Sequence, residues 1–292
     1  MSRPTSRRFA LEVRDGLELS LIEHRPGAVA AGGQHAFVLV HGLASNARTW
    51  DGVGQALADA GHRAWAVDLR GHGHSSKPDS GYDVATVADD LCRLVPLLSD
   101  ELVVLAGQSW GGNVVVEAAA RGAHRIGAVC GVDGGAIRLV DAYPDWERCA
   151  VELAPPLLAG TPVEVMEAHV RASHPDWPAS GIEGTMANFE QRGDGTVAPW
   201  LTRERHMLVL RGLWEHDPRA AYPHIGQPSL LIDAGAARRP GPMADHHARL
   251  MEAATAMLPA GELVRVPDAD HDVHCQHPRL VADLLLRLAA RM

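Results

Sequence analysis

Residues 107–111 read Gly107-Gln108-Ser109-Trp110-Gly111, a G-x-S-x-G pentapeptide. The apolar run 102–106 (LVVLA) just before it predicts a strand, and the spacing over 113–121 predicts a helix. A serine at a tight strand-to-helix turn projects its hydroxyl clear of a sheet, and flanking glycines suit so crowded a turn. The helix N-terminus beneath it favours developing negative charge. The chemistry open to such a residue is nucleophilic attack, for which a serine needs a base. A chance pentapeptide in a chain with 29 glycines is the bland alternative. The strand before and the helix after argue against it.

The candidate base is His271, in Pro267-Asp268-Ala269-Asp270-His271-Asp272-Val273-His274. It follows the last predicted strand, 262–266 (ELVRV), and precedes the last predicted helix, 278–291. In an open parallel sheet the loops at the carboxyl ends of strands converge on one rim, so Ser109 and His271 are expected to share an edge. His274 and His277 are rivals, with a solvated loop and a helix cap as their bland readings. A carboxylate should orient the imidazole and stabilise its charged form. Asp133 ends the predicted strand 126–132 (IGAVCGV) and precedes Gly134-Gly135, which permit a sharp turn. Asp233, at the end of the predicted strand 229–233 (SLLID), is the alternative. Asp133 also has the reading of an ordinary turn aspartate that caps its own backbone. Oxyanion donors are expected from the backbone N–H groups of Trp110 and of Leu43, which follows the predicted strand 36–40 (AFVLV) and His41-Gly42. Cys275 lies four residues from His271. No separate base is placed for it.

The elements that must carry these residues follow from periodicity. Residues 9–25 alternate around Asp15-Gly16 and predict a hairpin. A helix over 49–60, a strand over 63–68 and a helix entered through Asp83 over 83–98 come next. After Pro228 the pattern resumes with strand 229–233 and helix 244–258. Strands alternating with crossover helices imply an α/β fold, a mostly parallel sheet with helices on both faces. Residues 137–227 break the pattern and hold nine of the 19 prolines and four of the 7 tryptophans. They are expected to form a helical cap (lid), inserted in a core made of 1–136 and 228–292.

The 292 residues are 46% hydrophobic and 22% charged, ordinary values for a globular chain. The net charge of −9 argues against nucleic acid or an anionic membrane as partner. Arg3, Arg7 and Arg8 form the one basic cluster, read as a frayed tail. There is no apolar run of the ~18 residues a membrane helix needs, nor a signal-peptide core. The four cysteines show no CxxC spacing, which suggests reduced thiols and a cytoplasmic setting. The 17 histidines invite a metal site, but zinc needs three or four converging ligands. His246-His247 are adjacent on a predicted helix and do not face each other. No metal and no cofactor is expected.

Taken in order, His41-Gly42, Asp68-Leu69-Arg70-Gly71-His72-Gly73-His74-Ser75, Gly107-x-Ser109-x-Gly111 and Asp270-His271 resemble the α/β-hydrolase superfamily over nearly the whole chain outside the insertion. The resemblance implies an α/β-hydrolase fold, an eight-stranded sheet with a cap after the sixth strand, and a Ser-Asp-His triad in that chain order. In the family the acid usually follows strand seven, where this chain reads Asp233-Ala234-Gly235-Ala236-Ala237-Arg238-Arg239 with no acid after the glycine. Some members carry it after strand six, which favours Asp133. Dehalogenases and epoxide hydrolases of the superfamily use aspartate as nucleophile, and Ser109 speaks against both.

The expected activity is hydrolysis of a carboxylic ester, lactone or thioester of an apolar small molecule by Ser109, His271 and Asp133. His41, Trp110, Trp146 and Trp214 are expected to contact substrate. Trp177, Trp200, Met166, Met186 and Met207 are further lining candidates, although packing inside the cap is an equal use for the cap's tryptophans and methionines. Proline-iminopeptidase-like peptidases share the Trp after the serine, and Glu152, Glu164 and Glu167 offer the acids such an enzyme needs. Cofactor-free oxygenases, C–C hydrolases and a non-enzymatic ligand receptor are the remaining alternatives. The partner is a small-molecule substrate, and a monomer or homodimer is expected.

Overall fold

The computed structural model describes residues 5–28, 34–122, 124–235 and 241–292, apart from the side chains of 242 and 243. The chain opens with a hairpin, β1 (Thr5–Arg14) and β2 (Leu17–Arg25), and Gly16 takes the positive φ (69°) that its turn requires. Then come β3 (Ala36–Val40), α1 (Asp51–Asp59), β4 (Arg63–Val67), α2 (Val84–Leu98), β5 (Val103–Gln108), α3 (Trp110–Ala120) and β6 (Ile126–Val132).

Residues 137–227 carry α4 (Trp146–Glu152), β7 (Thr161–Pro162), α5 (Val163–Ser173), α6 (Ala179–Met186), β8 (Phe189–Gln191), β9 (Thr196–Pro199) and α7 (Arg203–Glu215). The chain ends with β10 (Ser229–Ala234), α8 (Gly241–Met257), β11 (Gly261–Val266), α9 (Val273–Gln276) and α10 (Pro278–Ala289).

Eight strands form one sheet in the order β1-β2-β4-β3-β5-β6-β10-β11. The β1–β2 and β2–β4 pairs are antiparallel and the other five are parallel. Every residue of β3, β5, β6 and β10 is buried, as strands covered by helices on both faces should be. Alternate residues of β3 feed opposite layers. Val38 and Val40 pack with α2 and α3 residues such as Leu91 and Val114, and Phe37 and Leu39 pack with Val53 and Leu57 of α1 and Leu285 of α10. This period-two division sets which helical layer each side chain packs against, while the parallel pairing of the strands from β4 to β11 brings their carboxyl ends to one rim.

Two expectations change. Arg7 and Arg8 are not a frayed tail: they lie in β1, where Arg8 Nη1 donates to Asp68 Oδ2 at 2.6 Å and Arg7 Nε to Glu23 Oε2 at 2.7 Å. Arg3 lies outside the described residues. The insertion is not wholly helical, since β7, β9 and β8 form a three-stranded antiparallel sheet. These strands are two to four residues long, and Pro162 and Pro199 sit within them at positions that spare a ladder donor, so no long alternation marks them. Met166, Val170, Trp177, Ile182, Met186 and Val197 make a small core of the insertion. Among the described residues no helix is long and apolar enough to cross a membrane.

Candidate active site

Ser109 occupies the single residue between β5 and α3, with φ 52° and ψ −124°. A non-glycine residue seldom adopts positive φ. Only four described residues do, and Ala44, Ser109 and Asp133 are three of them, all on one rim of the sheet. Backbone strain gathered in one place points to a site where geometry is imposed for use. The turn is held by Ser109 N–H donating to Val132 O (3.0 Å) and by Gly112 N–H donating to Ser109 O (2.9 Å). It is also crowded. A Cβ on Gly107 would lie 2.2 Å from Gly111 O, and one on Gly111 2.3 Å from His41 O, so both glycines are needed for close approach.

Asp133 follows β6 directly, and its N–H donates to Ile232 O at 2.7 Å. His271 lies between β11 and α9, and its main-chain carbonyl accepts from Gln108 Nε2 at 3.4 Å. The two side chains meet: His271 Nδ1 hydrogen-bonds Asp133 Oδ2. The other oxygen, Oδ1, accepts from Ala234 N–H (3.0 Å) and is bound by His247 Nε2 (2.8 Å). Asp133 is fully buried. Burial alone would raise its pKa, but the hydrogen bonds and charges of His247 and His271 outweigh it and hold the carboxyl well below the usual range.

Ser109 and His271 both border a cavity of about 160 Å3. Its core wall includes Leu43, Ala44, Ser45, Gln108 and Cys275, and the insertion contributes His174, Trp177, Thr185 and Asn188. α3 starts at Trp110, so the Trp110 N–H is one of the first-turn donors that a helix cannot satisfy internally. Trp177 Nε1 donates to Asp270 Oδ2 at 2.7 Å, and its ring stacks on His174 with centroids 3.8 Å apart. Asn46 Nδ2 donates to Gly184 O at 2.9 Å, a second tie between core and insertion. A larger apolar cavity of about 330 Å3 adjoins the first, sharing Ala44, Ser45 and Asn188, with Leu153, Pro155, Leu158, Phe189 and Leu201 on its walls.

The remaining candidates sit elsewhere. His41 is buried with both ring nitrogens in use: Nδ1–H donates to Gly42 O (2.7 Å) and Nε2 accepts from Leu69 N–H (3.0 Å). The Trp110 side chain is buried against His72, which in turn packs on His41. Trp146 and Trp214 face each other across α4 and α7, with Arg211 4.8 Å from both rings and Trp214 Nε1 donating to Tyr143 O at 2.7 Å. None of these four side chains borders the cavity with Ser109. Trp146 and Trp214 pack on each other and on Arg211 within the insertion, apart from its core of Met166, Trp177 and Val197. Trp200 packs on His74 in a separate groove. His274 is buried on Trp50, and burial pulls its pKa down to about 4. His277 stands at the N-cap of α10.

Cys275 lines the cavity, but burial pushes its thiol well above the ordinary value and its Sγ–H donates to Thr49 O. All four cysteines are free thiols. Asp233 does not reach His271 through any hydrogen bond among the described residues; it approaches His247 Nε2 (3.4 Å) and Arg265 Nε (3.5 Å). Residues 236–239, where the acid-free stretch after the glycine falls, lie outside the described residues. His174, Asn188 and His247 join the site without a motif to announce them. One weak signal existed for His247, since the helix after β10 must begin over the rim where β6 and β10 end. Asp133, Asp233 and His247 each bring one donor-type atom to within 4.8 Å of the others, an arrangement the hydrogen bond between Asp133 and His247 accounts for.

The profile of the alpha/beta hydrolase family matches residues 37–284. The chain is 27% identical over 240 residues to 2-(acetamidomethylene)succinate hydrolase of Mesorhizobium japonicum, covering 82% of each chain. It is 34% identical over 147 residues to epoxide hydrolase A of Mycobacterium tuberculosis, covering 49% of this chain and 43% of that one. The solved structure of an E-2-(acetamidomethylene)succinate hydrolase superposes with a TM-score of 0.73 at 24% identity, covering 98% of this chain and 99% of the other. The family profile spans the strands and loops that carry Ser109, Asp133 and His271, and the fold agrees throughout: this chain belongs to the α/β-hydrolase family.

Proposed function

We propose that the protein is a serine hydrolase that cleaves a carboxylic ester, lactone or thioester of an apolar small molecule. The observation that carries this reading is the Asp133–His271 hydrogen bond beside the cavity onto which the strained Ser109 turn opens. Ser109 Oγ attacks the substrate carbonyl while His271 Nε2 takes its proton. Asp133 holds Nδ1–H and stabilises the imidazolium that forms. The Leu43 and Trp110 N–H groups hold the oxyanion. Collapse expels the alcohol or thiol, which takes the proton from His271. Water, activated by the same imidazole, then attacks the acyl-enzyme and releases the acid.

The apolar preference is supported by the adjoining larger cavity, walled by Leu153, Pro155, Leu158, Phe189 and Leu201, while the Ser109 cavity itself is lined mostly by polar side chains. Among the described residues no arginine or lysine borders the Ser109 cavity, so an anionic group would meet no guanidinium or ammonium there, only the imidazoles of His174 and His271. This separates the reading from the substrate named for the Mesorhizobium relative, a succinate. The hydroxyl at position 109 separates it from hydrolysis through an aspartate nucleophile, the route that resemblance ascribes to epoxide hydrolases. The glutamates that a peptidase reading would use for the substrate amine do not reach this cavity. Glu152 pairs with Arg148 and Glu167 with Arg171 on their own helices, Glu164 is exposed, and none borders the cavity.

The test is intact mass after incubation with a fluorophosphonate probe. Wild type should take up one adduct and Ser109→Ala none. Asp133→Asn should react roughly four orders of magnitude more slowly, as when the orienting acid is neutralised in other triads. Undiminished labelling of Ser109→Ala would refute the assignment.

A further inference from the structure

The rim that carries Asp133 and His271 carries a second imidazole, which the hydrolytic steps above do not use. The two oxygens of Asp133 go to different histidines: Oδ2 to His271 Nδ1 and Oδ1 to His247 Nε2, at 2.8 Å for the latter. His247 comes from α8, the helix that follows β10. Beyond it, the same Nε2 lies 3.4 Å from Asp233 Oδ1, and Asp233 Oδ2 lies 3.5 Å from Arg265 Nε. Asp233 and Arg265 are partners in the parallel register of β10 and β11. The side chains thus run His271, Asp133, His247, Asp233, Arg265, basic and acidic in turn, across the ends of β6, β10 and β11.

Burial makes this alternation consequential. The Asp133 side chain is 0% exposed and that of Asp233 7%. Two carboxylates this close and this dry disfavour each other's charge, so the donor that stands between them matters to the charge of Asp133. A neutral Asp133 could not stabilise the His271 imidazolium.

We propose that His247 is a positioning residue of the Ser109 site, acting through Asp133: its Nε2–H holds Oδ1 and leaves Oδ2 aimed at His271, with Asp233 and Arg265 anchoring it from behind. The inference rests on the reading of Asp133 and His271 as the working pair. Ala234 N–H shares Oδ1, so removal of His247 loosens the carboxylate without releasing it. The larger effect is electrostatic. Among the described residues, the groups facing Asp133 include His271 from the loop after β11, His247 from α8, Asp233 from β10 and, behind it, Arg265 from β11. Removing the donor takes away the group that stands between the charges of Asp133 and Asp233, and leaves Arg265 to offset Asp233 from the far side. Proton uptake by the Asp133–His271 pair becomes easier, whichever atom holds the proton. The acid limb of reactivity therefore moves to higher pH.

The experiment compares wild type, His247→Leu, His247→Gln and Ser109→Ala as full chains. It measures fluorophosphonate labelling as kinact and KI across pH, with circular dichroism to verify folding. His247→Leu should lose about ten- to a hundred-fold in kinact, the scale of one hydrogen bond to a charged group, with KI little changed and the acid limb raised. His247→Gln, which keeps an N–H donor, should recover most of the rate and of the limb. A folded His247→Leu protein with the wild-type rate and limb overturns the proposal. So does a slow variant whose acid limb has not moved, or a Gln variant no better than Leu. If His247→Leu does not fold, His247→Asn, whose amide is too short to reach Asp133, takes its place under the same criteria. Labelling that persists in Ser109→Ala would bring down the site reading and this inference together. Labelling lost in Ser109→Ala but untouched in the folded His247 variant would bring down the inference alone.

Discussion

Trp177 of the insertion donates its indole N–H to Asp270, the residue immediately before His271. The contact reaches across 93 residues of sequence and joins the cavity wall to the loop that carries the imidazole. Asp270 is itself held, since its N–H donates to Gln276 Oε1 at 2.6 Å. The position of His271 therefore depends on the insertion as well as on the sheet.

Trp177→Phe keeps an aromatic face for His174 and removes the N–H together with the smaller ring of the indole. A hydrogen bond to a carboxylate contributes about 1.5–3 kcal/mol, so the loss is large enough to free the loop locally. The phosphonylation rate should fall by roughly ten-fold or more, while the melting temperature drops by only a few degrees. A Phe variant with unaltered labelling would mean that the core alone positions His271.

The two adjoining cavities predict a chain-length preference. The larger, at about 330 Å3, has room for about ten non-hydrogen atoms at the ~30 Å3 that one water occupies in the liquid. Across a series of p-nitrophenyl esters, medium acyl chains should give a higher kcat/KM than acetate or long chains. Leu201→Trp, which fills that cavity from its wall, should depress hexanoate turnover at least about ten-fold and leave acetate within about two-fold. Equal losses on both esters would place the acyl chain elsewhere.

Much of this site was legible because it depends on strand ends. β3 and β6 were readable to the residue, since a continuous apolar run bounded by turn residues has one interpretation in an α/β pattern. The carboxyl ends of β5, β6 and β11 then nominate Ser109, Asp133 and His271 without knowledge of any contact. What escaped depends on how helices rotate over the sheet. The choice among the cap tryptophans turned on which faces α4 and α7 present to each other, and Trp146 and Trp214 satisfied one another. His247 was visible as half of a His-His pair, but only the placement of α8 over the β6 and β10 ends brings it to Asp133. The short strands of the insertion escaped because two to four residues carry too little periodicity to be read.

Buried imidazoles predict how the fold responds to acid. His41, His72, His206 and His274 are each pulled below the ordinary histidine value, in every case chiefly by burial, and His206 and His274 reach about 4. In the unfolded chain these side chains take up protons near pH 6.5. Between about pH 6.5 and 4 the unfolded state therefore binds more protons than the native one, and stability must fall as pH falls through that window. Asp133 adds to this further down. Its folded pKa is depressed, so its contribution is present above the unfolded value near 4 and is lost as pH falls towards the folded one. Urea unfolding of Ser109→Ala, which avoids any turnover, should give a free energy that declines steadily from neutrality to pH 4 and more steeply below it. His274→Phe keeps a ring against Trp50 and removes one titrating group, so it should flatten the upper part of the curve. A wild-type free energy that stays level from pH 6.5 to 4 would mean that these rings are protonated in the native state, and the packing of His41 between Gly42 and Leu69 would then have to be redrawn.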